Sequence, residues 1–219
     1  MDVRTITKDV VKVLWMIEDA EFESLPRFDS ARYCLLRLAE YHERKLVSRS
    51  SMSQSELERT YIQDGLHGNH CYGCGAWNDK GLQIKSYWDG DVSVCVFQPE
   101  PHHAAMPPDV MNGGTIASII DCHCVCSAMA DAYRTEGREV GEGDTIWYAT
   151  ASLTVNYRKP TRIDGPVTAR ARIIEKTDKK TSHAVDFFSY DGVLTCDATV
   201  LSLRVPDEWA DPTGLFQHL

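Results

Sequence analysis

Val110-Met-Asn-Gly-Gly-Thr-Ile-Ala-Ser-Ile-Ile-Asp121-Cys-His-Cys-Val-Cys-Ser-Ala-Met-Ala130 is the stretch on which the fold turns. It comes after Pro99, Pro101, Pro107 and Pro108, and it opens a run from Thr115 to Glu136 that holds neither proline nor glycine. That punctuation predicts one long, largely apolar helix. Upstream, Leu82–Trp88 and Val92–Phe97 alternate like strands around Asp89-Gly90-Asp91, a hairpin signal. Downstream, four strand-like runs cover about 146–158, 166–176, 182–190 and 193–205, with turns at Asp164-Gly165 and Asp191-Gly192. Two strands, a helix and four strands predict an α+β fold in which an antiparallel sheet wraps one central helix.

Residues 1–67 have a different texture, with Pro26 and Gly65 as their only proline and glycine. Val10, Val11, Leu14 and Ile17, then Leu35, Leu36, Leu38 and Ala39, recur at helical spacing. They predict helices over about 7–20 and 30–47, with a weaker one over 53–63. The segment is read as an N-terminal helical extension serving as a cap or oligomerisation arm. Residues 68–206 form the main domain and 207–219 a C-terminal tail.

The formal charge is −9, from 32 acidic and 23 basic side chains, which argues against a nucleic-acid partner. No stretch approaches ~18 uninterrupted apolar residues, so no membrane span is expected. Asp2 and Asp9 interrupt the first ten residues, unlike a secretory signal. A cytoplasmic location with reduced cysteines is the resulting expectation.

Asp121 sits mid-helix among Ile119, Ile120, Cys122 and Val125. Aspartate is a poor mid-helix residue and costly to desolvate. Residues 116–130 hold no other acid and no Lys or Arg, so the helix shows no solvent face. Asp121 is therefore read as a carboxylate aimed into a cleft. Gly113 and Gly114 at the helix start allow close approach of a ligand, and the free N–H groups there suit an anion or oxyanion. Eight residues separate Gly113 from Asp121, roughly 12 Å at ~1.5 Å per residue. One small reacting group cannot touch both. If both act on one atom, they come from two copies of the chain, with antiparallel central helices across a two-fold axis.

The glycine pair, the spacing to Asp121 and the later stretch Ser152-Leu-Thr-Val-Asn-Tyr-Arg-Lys-Pro160 resemble the PaaI-like branch of hotdog-fold acyl-CoA thioesterases, within the 4-hydroxybenzoyl-CoA thioesterase superfamily. The entry Cys71-Tyr-Gly-Cys-Gly75-Ala-Trp-Asn78-Asp-Lys-Gly81-Leu82 resembles the turn that precedes the first strand in many members. The resemblance spans about 71–205. It implies that Asp121 acts as general base or nucleophile and that the Gly113 N–H stabilises the oxyanion. The family usually has histidine where Asn112 stands. Asparagine can position a carbonyl or a water, but it cannot titrate. Asn112 thus joins Asp121 and Gly113 as a catalytic candidate. It also leaves open a hotdog-fold hydratase or lyase, or a non-catalytic acyl-CoA binding protein. The implied assembly is a homodimer or dimer of dimers. The implied substrate is an acyl-CoA, with coenzyme A entering only as part of it.

Gly114, His123, His103, Tyr157, Arg158 and Lys159 complete the candidates, as substrate contacts. His102-His103 lie in the proline-rich loop beside the helix start. Between Ala151 and His183, eight basic residues face three acids, a local +5 suited to the phosphates of coenzyme A. No metal is expected. His67, His70, Cys71 and Cys74 lack a second Cys-x-x-Cys and read as a tight turn with a packed thiol. Cys122, Cys124 and Cys126 are spread around the helix axis and read as soft packing residues.

Overall fold

The structure is a computed structural model that describes residues 59–206. The chain divides into two units, Met1–Arg59 and Thr60–Leu219, and all but the first of the described residues belong to the second. The helices expected over 7–20 and 30–47, and the tail, lie outside the described residues. Of the third expected helix, residues 59–61 are not helical, and a 3-10 turn comes next at Ile62–Gly65.

The strands are β1 (Ser86–Asp89), β2 (Val92–Phe97), β3 (Tyr148–Tyr157), β4 (Val167–Lys176), β5 (Lys180–Phe188) and β6 (Leu194–Arg204), with one helix, α1 (Gly113–Thr135), between β2 and β3. They make one six-stranded sheet in the order β1-β2-β4-β5-β6-β3, and every pairing is antiparallel. The β1–β2 hairpin turns at Gly90, whose φ of +62° a Cβ would disfavour. The first strand starts later than its alternation predicts. Leu82 and Ile84 donate their N–H groups to the carbonyls of Tyr72 and Gly73, at 2.7 and 3.0 Å. Gln83 between them has φ +49°. Residues 82–85 thus pair with the cysteine turn instead of the sheet.

The sheet's alternation puts Val167, Ala169 and Ala171 of β4, Val185 and Phe187 of β5, and Ala198 and Val200 of β6 against α1. From the helix come Ile116, Ile119, Ile120, Met129 and Tyr133, all nearly free of solvent exposure. The small alanines let the helix sit close to the strands. By length and composition α1 is apolar enough to cross a membrane. Here that character reflects a helix enclosed by its own sheet. Its end is closed by a Schellman motif: Gly137, at φ +68°, donates to the Arg134 carbonyl, and Arg138 to that of Tyr133.

Among the described residues β3 forms one edge of the sheet and pairs only with β6. Beyond Tyr148 most of its residues are exposed, and Leu153 and Val155 are only half-buried. A ten-residue strand with one open edge is a ready template for pairing.

Candidate active site

The helix begins at Gly113, two residues before the run without glycine. Asn112 caps it: its Oδ1 accepts from the N–H of Gly114 at 2.8 Å and of Thr115 at 3.2 Å. The Ile116 N–H goes to the Asn112 carbonyl at 3.1 Å. Of the first-turn donors, the N–H of Gly113 alone takes no partner among the described residues. The second glycine has a steric reason, since a Cβ on Gly114 would stand 3.0 Å from the capping oxygen. Asn112 is thus first a helix cap, and its oxygen is committed to that task.

The loop before the helix is fixed from both sides. Met111 donates its N–H to Thr161, and Asn112 donates its own to His103, both at 2.8 Å. His103 is buried. Its Nδ1 accepts from the Glu100 N–H at 2.9 Å, and its ring packs on Phe97 at 5.3 Å. Burial, then the neighbouring His102, push its pKa down. It supports the helix entrance rather than lining the cavity there.

That cavity, of about 340 Å³, is lined by Val110, Met111, Gly113 and Ile116 on one side and Tyr157, Arg158, Lys159, Pro160 and Thr161 on the other. The Tyr157 hydroxyl donates to the Gly113 carbonyl at 2.7 Å, and burial raises its pKa. Gly113, Tyr157, Arg158 and Lys159, chosen from distant parts of the sequence, therefore meet in one place.

Asp121 does not line this cavity. It is half-exposed, and it accepts a hydrogen bond from the Thr150 hydroxyl of β3. Thr150 carries no motif that would have singled it out. The His123 ring is fully buried and bonded on both nitrogens, so it has no surface for a substrate.

The basic run also resolves differently. Arg158 pairs with Asp197, Arg162 with Asp109 and Asp164, Arg170 with Asp89, Arg172 with Asp186, Lys176 with Asp131, and Lys180 with Glu175. Five acids outside that run, Asp89, Asp109, Asp131, Asp186 and Asp197, offset the local excess that a count along the chain suggests. Lys159 is the cavity's cation without an ion pair to a described residue.

The single helix enclosed by an antiparallel sheet is the hotdog fold. Residues 109–196 match the family model of the thioesterase superfamily. Solved structures similar to it include a thioesterase superfamily protein from Shewanella loihica, 29% identical over 64% of this chain and 96% of its own, at a TM-score of 0.48. A Haemophilus influenzae thioesterase is 17% identical over 57% of this chain and 79% of its own, at 0.47. The Escherichia coli PaaI protein of the phenylacetic acid degradation operon is 13% identical over 57% and 81%, at 0.46. No curated protein matches the chain at a significant level.

Proposed function

We propose that this protein is a cytoplasmic acyl-CoA thioesterase whose site is completed by a second copy of the chain. The observation that carries this reading is the Gly113 N–H: without a partner among the described residues, at the positive end of a 23-residue helix, in a cavity wall. It suits the oxyanion that develops when a thioester carbonyl is attacked. The required base lies eight residues away on the same helix, roughly 12 Å off at ~1.5 Å per residue. Asp121 of a second copy therefore supplies it, brought near by pairing of the open β3 edges in a homodimer.

In this mechanism Asp121 takes a proton from water as the oxygen adds to the carbonyl carbon, or attacks that carbon itself. The C–S bond breaks as the oxyanion collapses. On the general-base route the proton taken from water passes to the departing thiolate. On the nucleophilic route the thiolate leaves first, and water then hydrolyses the acyl–Asp121 anhydride, supplying that proton and restoring the carboxylate. Tyr157 holds the Gly113 peptide in place. Lys159, with Arg158 beside it, faces the phosphates of coenzyme A, and Gly114 permits the cap that leaves the Gly113 donor free. Asn112 fixes that donor's direction.

Subunit mixing tests the arrangement. Asp121→Asn and Gly113→Pro homodimers are each expected to be nearly inactive against a panel of acyl-CoA esters, read by thiol release. A random 1:1 exchange gives about half mixed dimers, in which one site of two is intact. About a quarter of wild-type activity should return. No return, with mixed dimers demonstrated, would put both groups in one chain or remove one from catalysis. Product analysis on the same panel separates hydrolysis from hydration, and tight binding without thiol release would favour a binding protein.

A further inference from the structure

Three of the described cysteines meet outside the cavity lining, and a fourth lies one helical turn along from one of them. Cys71 and Cys74 belong to the turn before β1, and Cys122 lies on α1. Their three Sγ atoms all lie within 4.8 Å of one another, with Cys71 and Cys122 at 3.6 Å. Cys126 is buried one helical turn beyond Cys122, on the same side of α1. The alternating cysteines of α1 are therefore not equivalent. Positions four apart share a face, so Cys122 and Cys126 point to the turn while Cys124 points elsewhere.

We propose that Cys71, Cys74, Cys122 and Cys126 form a tetrathiolate site for a zinc ion, which clips the turn to the central helix. Tetrahedral zinc with Zn–S of ~2.3 Å sets sulfur atoms roughly 3.8 Å apart. The 3.6 Å contact matches that spacing and is far from the ~2.05 Å of a disulfide. The turn is shaped for the job. Gly75 donates its N–H to the Cys71 carbonyl at 2.9 Å, and a Cβ on Gly75 would stand 2.5 Å from the Cys71 backbone. A Cβ on Gly73 would stand 2.3 Å from the Cys122 sulfur. Buried Asn69 ties both turn cysteines, accepting from the Cys71 N–H at 2.9 Å and donating to the Cys74 sulfur at 3.3 Å. Such outer contacts orient ligands at metal sites. Cys71 is exposed and gives an entry path. By contrast, Cys95 is a packing cysteine: fully buried, its thiol pushed up to about 12 by burial. On binding, the four thiols lose four protons to solvent and the ion keeps its charge, so no oxidant is involved.

The full chain, purified without chelator from zinc-supplemented culture, should hold one zinc per chain by elemental analysis. After stripping under reducing conditions, Co²⁺ should restore a thiolate-to-metal charge-transfer band that saturates at one equivalent. Cys122→Ser with Cys126→Ser should lose both signals, and Cys95→Ala should keep them. Wild-type protein with neither zinc nor a cobalt band, or with a disulfide among the four by mass, would overturn the proposal. So would a folded double variant that still binds stoichiometrically. If the double variant does not fold, the wild-type stoichiometry and the cobalt band still decide.

Discussion

Two polar residues on α1, two positions apart, meet opposite treatment. Asp121 faces the exposed edge strand, half-exposed and bonded to the Thr150 hydroxyl. His123 faces β1 and β2 and is wholly buried. Its Nε2 lies 3.2 Å from the Ser93 carbonyl, which can only accept, so the network assigns the proton to Nε2. Nδ1 then accepts from the Ser86 hydroxyl at 2.8 Å, and Ser86 in turn accepts from Gln63 at 3.0 Å. Steps of 100° per residue put the two side chains on nearly opposite faces. One face keeps a carboxylate partly open to solvent; the other spends its polar groups on each other.

If the Asp121 face is chemical, Asp121→Asn should fold normally and lose ~10²–10⁴-fold in turnover, the usual range for a general base. Thiol release and an unfolding curve on the same sample check this, and wild-type turnover would erase the distinction between the faces. If the His123 face is structural, His123→Ala should cost about 3 kcal/mol by denaturant midpoint, since it leaves a cavity and strands Ser86 and Ser93.

Acid should separate the faces further. Burial lowers the pKa of His123 to about 3 and that of His183 to about 4, from an ordinary 6.5. Both are neutral in the fold and protonate more readily once unfolded. Their contribution is intact above pH 6.5 and is lost as pH falls towards 4 and then 3. Unfolding should take up nearly two protons from this pair within that window, a slope of at most about 2.7 kcal/mol per pH unit. Potentiometric or denaturant measurements across it check the sign. The smallest effect belongs to the helix start: Asn112→Ala should cost about 1 kcal/mol of stability through the lost cap, and Asn112→Asp should restore it.

The architecture was readable because proline and glycine punctuate it. Gly90 and Gly192 sit in turns at φ +62° and +79°, and the run without either residue is the helix. Gly113, Tyr157, Arg158 and Lys159 were also legible, since a motif links them and the fold brings them together at one cavity. What escaped were facts about which strand lies opposite. Periodicity does not say that Asp197 faces Arg158, or that Thr150 faces Asp121. It did not show that His123 points to the serines of β1 and β2. Nor did reading three cysteines as spread around an axis reveal that two of them, four apart, close on a turn some fifty residues upstream.

The sheet order has a consequence for how the chain is made. β3 comes after α1 in sequence, yet its neighbour is β6, the last of the described strands to be synthesised. From the end of β3 at Tyr157 to the start of β6 at Leu194, 37 residues must be added. At ~5–20 residues per second that is a wait of roughly 2–7 s. Throughout it the nascent chain carries an apolar helix whose sheet is unfinished and a strand with no partner on either side. This stretch is where a chaperone would be needed most, and where slowed translation or a lost C-terminal strand would turn the protein towards aggregation.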